Sequence, residues 1–229
     1  GGRGAIFMLE HGASYVAAVD VSETNVKTTN TNLSTFGNEK YSVSLSSLEL
    51  LPFEDESFDF VWCYGVLQHT AEPDRCLEEI VRVLKNNGKM FLFVYGQGGL
   101  YWFFVRRFRQ MLRNLSAEFC YDALTVIGSN VNDFTSFMDD WKAAYLRCYR
   151  KIDFEEALKA NGMKIQSRFL YGVEHDLNHR LNSYPDDVAW GGEGDLRYLL
   201  TKADKKSGPG ETRLKEAEIE DLKVENHIA

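Results

Sequence analysis

Three glycines fall within the first four residues, Gly1, Gly2 and Gly4, and run straight into the apolar stretch from Ala5 to Glu10. A glycine turn that opens a helix presents unpaired backbone N–H groups to an anion, and the missing Cβ lets the backbone approach that ligand closely. Asp20 closes the next apolar run, "YVAAVD", and an acid at a strand end can accept both hydroxyl protons of a ribose. Gly2 and Asp20 stand near the offset of about 20 residues that marks a nucleotide-binding fingerprint; a helix-capping Asp20 beside an unrelated glycine turn is the plain alternative. His69 follows the apolar "VLQ" and reads either as a general base or as a residue that braces a loop. Two later stretches, "GGLYWFFVRRFRQMLRN" and "FMDDWKAAYLRCYR", bring together aromatics, arginines and the acids Asp139 and Asp140. Trp141, Tyr145 and Arg147 are the candidates there for holding an anionic substrate; the alternative is a helical cap whose aromatics form its own core. His175, Asp176 and His179 come nearest to metal-ligand spacing, but they follow a strand and a glycine rather than lying on a helix, so no metal is expected.

The elements that must position these residues alternate. The spacing predicts a helix ending near "HGAS", with Gly12 in the left-handed conformation of a C-cap. A strand buried on both faces follows at Tyr15 to Asp20, then a weakly amphipathic helix with Ser22 as N-cap. "KYSVSLS" is the next strand, and "FDFVWCYGVLQH" contains another buried one. "EPDRCLEEIVRVLKNNGK" is an amphipathic helix with Leu77, Ile80, Val81 and Leu84 on one face and Gly88 as its stop. "MFLFVYG" follows as a nearly continuous apolar strand. This alternation predicts an α/β fold with a parallel sheet wound on both sides. After the joint "GQGG", the region to Arg150 is aromatic-rich and helix-like, an insertion. The alternation then resumes with a short helix at "KIDFEEALKANG", a strand at "MKIQSRFLYG" and a last strand at "DLRYLLTK". From Ala203 onward the chain is charged and poor in aromatics, and a disordered tail is expected.

Composition narrows the classes. The 229 residues carry 26 Lys and Arg against 34 Asp and Glu, a formal charge of -8, which disfavours a nucleic-acid backbone as partner. Cys63, Cys76, Cys120 and Cys148 form no CxxC pair and no zinc ladder, so free thiols and a cytoplasmic setting are expected. "LYWFFV" is cut short by Arg106 and Arg107, and no stretch reaches the roughly 20 apolar residues of a membrane span.

The stretch "LPFEDESFDFVWCYGVLQHTAEPDRCLEEIVRVLKNNGKMFLFV" resembles the core of a class I S-adenosylmethionine-dependent methyltransferase of the broad group acting on small molecules. The resemblance lies in Leu51-Pro52-Phe53, the acidic turn to Ser57-Phe58-Asp59, Val66-Leu67-Gln68-His69, and Glu79 followed by Arg82-Val83-Leu84-Lys85 and Gly88-Lys89. It covers residues 1 to 95. It implies a Rossmann-like, doubly wound, mostly parallel sheet over residues 1–202. In that frame "MFLFVYG" is the fifth strand, residues 97–150 are a helical substrate cap after it, and 203–229 are the tail. The family's first strand and most of its glycine loop would precede Gly1, so a chain beginning inside that loop is expected to bind the cofactor weakly.

The resemblance implies S-adenosyl-L-methionine as cofactor. Gly1 and Gly2 would end its loop, Asp20 would take the ribose hydroxyls, and Val21 and Ser22 would lie beside the adenine. Ser47 and Leu48 fall where the family commonly has an acid or amide for the adenine amino group and an apolar neighbour; Ser47 departs from the commoner Asp. Tyr64 and Gly65 would face the methionine end. Pro52-Phe53, Phe58-Asp59 and Arg82 read as structural. The implied activity is methyl transfer to an O, N or C atom of a small molecule, with His69 or one of Asp139 and Asp140 as base; the alternative is a non-catalytic cofactor-binding or interaction module. A nicotinamide oxidoreductase would call for a Tyr-x-x-x-Lys helix and a nucleic-acid methyltransferase for an Asn/Asp-Pro-Pro-Tyr/Phe motif or a basic face, and the sequence has none of these.

Overall fold

The structure is a computed structural model that describes residues 1–126, 128, 138–170, 173–174, 192–204 and 214. Helix α1 (Arg3–Glu10) leads through Gly12, at φ 94°, into strand β1 (Val16–Asp20). Helix α2 (Glu23–Leu33) starts as expected, with the Ser22 hydroxyl accepting from the Asn25 N–H at 3.4 Å. Strand β2 (Tyr41–Leu45) pairs parallel with β1, Asp20 standing opposite Leu45. Strand β3 (Phe58–Tyr64) and helix α3 (Pro73–Val83) precede β4 (Leu84–Tyr95), which pairs parallel with β3. Helices α4 (Gly99–Leu112) and α5 (Ala117–Val126) and a π turn at Met138–Lys142 belong to the insertion. Helix α6 (Lys151–Ala160), strands β5 (Met163–Leu170) and β6 (Val173–Glu174) and strand β7 (Asp195–Lys202) restore the alternation.

The α/β class holds, with the parallel pairings in the first half of the chain. The strands form two sheets, β1-β2 and β3-β4-β7-β5-β6, and β7 inserts antiparallel between β4 and β5. The main core lies on one face of the larger sheet, where Met90, Leu92, Val94, Leu196, Tyr198 and Leu200 meet Cys76, Leu77 and Ile80 of α3 and Phe154, Ala157 and Leu158 of α6. The period-2 burial of β7 follows from this one-sided packing. A smaller core of Ala5, Leu9, Val16 and Leu33 joins α1 and α2 to β1.

Two expectations need correction. Strands β1 and β3 are not buried on both faces: Val16 is the buried residue of β1, and Phe60, Trp62 and Tyr64 of β3 are exposed. Among the described strands, β1 pairs only with β2 and β3 only with β4, so each carries an open edge. The second correction concerns α3, which stops at Val83 rather than at Gly88. Leu84 turns to the extended region, Asn87 takes the left-handed conformation at φ 60°, and Lys202 Nζ donates to the carbonyls of Val81 at 2.8 Å and Leu84 at 2.6 Å. A cation from β7 thus caps the helix end that the sequence assigns to a glycine. Most of the charged tail lies outside the described residues; Leu214 within it is buried, and its N–H donates to Asp74 at 2.8 Å.

Candidate active site

Ligands of open α/β sheets sit beyond the carboxyl ends of parallel strands, and the expected site residues fall there. Asp20 ends β1 half-buried, and its Oδ1 accepts the Ser22 N–H at 2.9 Å. That bond holds the carboxylate at the start of α2 through one of its two oxygens. Val21, 73% exposed, follows it. Gly2 caps α1 at φ 82°, and a Cβ there would stand 2.8 Å from Thr29 Cγ2, so glycine is required both by the backbone and by the close approach of α2. Ser47 lies past the end of β2, where its hydroxyl accepts the Glu49 N–H at 3.2 Å within its own turn. Leu48 packs against the main core.

Tyr64 ends β3, and Gly65 follows with φ 71° and its N–H on the Phe93 carbonyl at 3.1 Å. A Cβ on Gly65 would meet the Phe93 ring at 3.6 Å and Gln68 Nε2 at 3.7 Å. The short turn Leu67–His69 then carries His69, whose Nδ1 lies 2.9 Å from the Tyr145 carbonyl. A carbonyl only accepts, so Nδ1 bears the proton and the basic nitrogen of the neutral ring is Nε2. The ring stands edge-on to Tyr95 at 5.6 Å, and Tyr95 meets Trp102 of α4 at 4.7 Å.

The insertion contributes differently from the sequence expectation. Tyr145 reaches His69 through its backbone, and its ring lies under the Arg147 guanidinium at 5.4 Å. Arg147 is buried; its Nη2 donates to the Ala71 carbonyl at 2.9 Å and its N–H to the Gln68 carbonyl at 3.1 Å, so it braces the His69 turn. Trp141 stacks on Phe108 at 4.5 Å against a cluster of Trp102, Val105, Leu146 and Cys148. Arg109 is buried with its guanidinium on the Asp140 and Ala143 carbonyls. Asp140 accepts a short hydrogen bond from the Tyr101 hydroxyl. Burial, and then that bond, holds Tyr101 well above the usual phenol range, so it remains a donor. The Asp139 side chain lies outside what is described, as do His175, Asp176 and His179. Among the described residues no group of three or more metal-ligating side chains forms.

Gln68 was read only as part of a motif, and Asp195 and Arg197 were given no part in the sequence reading. Gln68 is fully buried. Arg197 on β7 lays its guanidinium over the Phe93 ring at 4.9 Å and the Tyr64 ring at 5.9 Å, while Nη2 donates to Asp195 at 2.6 Å. Burial raises the Asp195 carboxyl, opposed by that arginine. The alternation in "DLRYLLTK" was the available signal, since it sets Asp195 and Arg197 on the face away from the core. The four cysteines are free and buried, and burial pushes Cys63 up to about 12 and Cys76 to about 11, which favours the thiol over the thiolate at both. No helix among the described residues is long and apolar enough to cross a membrane.

Comparison with known proteins places this geometry. Residues 1–92 match a family described as a methyltransferase domain. Phosphoethanolamine N-methyltransferase 2 of Caenorhabditis elegans is 26% identical over 97 residues, 42% of this chain and 22% of that protein. The tRNA U34 carboxymethyltransferase of Campylobacter hominis is 42% identical over 48 residues, 21% of this chain and 17% of that protein. The matched chain thus spans less than a quarter of either relative. The crystal structure of the Burkholderia thailandensis 1,6-didemethyltoxoflavin-N1-methyltransferase, with 1,6-didemethyltoxoflavin and S-adenosylhomocysteine bound, superposes with a TM-score of 0.54 at 16% identity, over 89% of this chain and 67% of that one. The fold is therefore shared where the sequence has diverged. The family match is thus confined to residues 1–92, which resemble a methyltransferase domain, and the solved structure shows that the chain shares that protein's fold.

Proposed function

We propose that the protein transfers a methyl group from S-adenosylmethionine to an O, N or C atom of a small-molecule acceptor. The observation that carries this reading is Asp20, an acid at the carboxyl end of β1 held by the Ser22 N–H beside exposed Val21, within a methyltransferase domain. These residues fit the cofactor: Asp20 for the ribose hydroxyls, Val21 and Ser22 for the adenine face, Gly1 and Gly2 for the loop, and Tyr64 and Gly65 for the methionine end. Ser47 and Leu48 have weaker parts, because one hydroxyl is engaged in its own turn and the other side chain in the core. When bound, the cofactor supplies a sulfonium-activated methyl group, so the protein's work is to align the acceptor and exclude water.

His69 is the catalytic base of this proposal, its Nε2 made the proton acceptor by the Nδ1–H bond to Tyr145. Tyr145 and Arg147 act as positioning residues for that turn, and Trp141 shapes the cap above it. The catalytic unit is residues 1–202, with 97–150 as its cap and 203–229 outside it. The acidic charge favours a small-molecule acceptor over nucleic acid, and free thiols fit a cytoplasmic setting.

The test is calorimetric titration of S-adenosylhomocysteine into the protein and into its Asp20→Ala variant. Wild-type binding with an affinity loss of at least about a hundredfold in the variant, which loses the charge-assisted hydrogen bonds of the carboxylate, is expected. Folded wild-type protein that does not bind overturns the proposal. Binding without transfer in an acceptor screen favours the non-catalytic module instead.

A further inference from the structure

Helix α4 is apolar on two opposite faces. Trp102 and Val105 turn inward against Leu146 and Cys148, and Arg109 beside them is buried on backbone carbonyls. One such face is all that packing asks of a surface helix. Leu100, Phe103, Phe104, Arg107 and Met111 recur at the three- and four-residue spacing of the opposite face, and all five are exposed, Met111 by 72%. The Phe103 and Phe104 rings meet at 5.6 Å, and the Arg107 guanidinium lies over Phe103 at 5.5 Å. A continuous apolar row of this kind on a protein surface marks an interaction site.

Charge selects the occupant. The helix and its C-cap hold Arg106, Arg107, Arg109 and Arg113 and no acid, in a chain whose formal charge is -8. Arg107 and Arg113 are exposed. Apolar rings flanked by arginines suit an anionic bilayer, where the rings enter the acyl boundary and the guanidinium groups stay among the phosphates. A second copy of this chain on the same face would set those arginines against their own kind. The 14 residues of α4 extend about 21 Å, short of the roughly 30 Å of a hydrocarbon core, so the helix can lie on a bilayer but not cross it.

We propose that the outer face of α4 docks the protein on a membrane surface that carries anionic phospholipid. From its inner face Trp102 meets Tyr95 at 4.7 Å, and Tyr95 meets the His69 ring at 5.6 Å. Docking therefore sets the His69 turn about one helix diameter, roughly 10 Å, behind the bilayer surface.

The test is cosedimentation of the protein with vesicles of phosphatidylcholine alone and with vesicles containing roughly a third phosphatidylserine. Wild type should partition at least about tenfold more strongly onto the anionic vesicles, and most of that binding should be lost between about 0.1 and about 0.5 M salt. The double variant Phe103→Ser, Phe104→Ser should lose about tenfold or more, and Arg107→Gln, Arg113→Gln should bind both vesicle types alike. Should the serines impair folding, Met111→Gln, at a side chain mostly in solvent, gives the same readout with a loss of about threefold. Wild type that binds neither vesicle, or binds both equally, overturns the proposal, as does binding that the apolar-row variants leave unchanged. A dimer in sedimentation velocity that the double serine variant dissolves, without vesicle binding, overturns it in favour of a second copy on this face.

Discussion

Glu79 and Arg82 show how much of a family motif serves the fold rather than the chemistry. Arg82 donates to both oxygens of Glu79, at 2.7 and 2.8 Å, and reaches the carbonyls of Phe53 and Leu51 and the carboxylate of Asp55, while Glu79 also accepts the Leu51 N–H at 2.8 Å. The pair ties α3 to the loop that feeds β3, whose rings Phe53 and Phe58 meet edge-on at 4.8 Å. The Arg82 hydrogen bond holds the Glu79 carboxyl below its ordinary value of 4.5. A carboxyl depressed by folding contributes stability that is complete above its unfolded pKa and is lost as pH falls through its folded one. Denaturant midpoints measured from about pH 6 to about pH 2 should therefore fall less steeply for Glu79→Gln than for wild type. At neutral pH the variant should be less stable by about 1–3 kcal/mol, and parallel acid profiles would remove Glu79 from this account. His69 is bonded instead to a carbonyl from the insertion, the contact on which its proposed part as a base rests.

At the scale of elements, the end of α3 depends on a side chain from another strand. Its apolar face, Cys76, Leu77, Ile80 and Val83, is legible as helical spacing and packs on the sheet. The last carbonyls of the helix are satisfied by buried Lys202, so replacing that lysine with methionine keeps the aliphatic stem and removes two charge-assisted bonds. Lys202→Met should cost about 2–4 kcal/mol, read as a lower urea midpoint with an unchanged slope. A midpoint equal to wild type would mean that water caps the helix equally well. The insertion behaves in the same way. Arg109 and Arg147 look in the sequence like anion binders, yet both end on backbone carbonyls.

The whole molecule divides by packing. Strand β4 is paired on both edges and borders the main core, whereas β1 and β2 form a two-stranded sheet on the smaller cluster of Ala5, Leu9, Val16 and Leu33. A two-stranded unit is marginal without its supporting helices, and local opening follows buried apolar contact. Native-state hydrogen exchange should therefore show β1 and β2 amides exchanging through a lower-energy opening than those of β4 and β7. Equal protection across the two sheets would show a single cooperative unit. Because Asp20 ends β1, a ligand held there should raise β1 and β2 protection by mass action.

The alternation of elements, the capping Ser22, the left-handed Gly12 and the acid at the end of β1 were all legible in the sequence, and so was the family pattern from Leu51 to Lys89. Each is written in neighbouring residues, where spacing and local hydrogen bonding are sufficient. The tautomer of His69 rests on a carbonyl 76 residues away. The end of α3 rests on a lysine bonded to a carbonyl 118 residues distant, and the one-sided exposure of β1 and β3 on which strands find partners. The burial of Gln68 and the stacking of Arg197 are likewise outcomes of packing. Hydrogen bonds between segments far apart in the chain leave no periodicity to read, so the tertiary structure alone decided them.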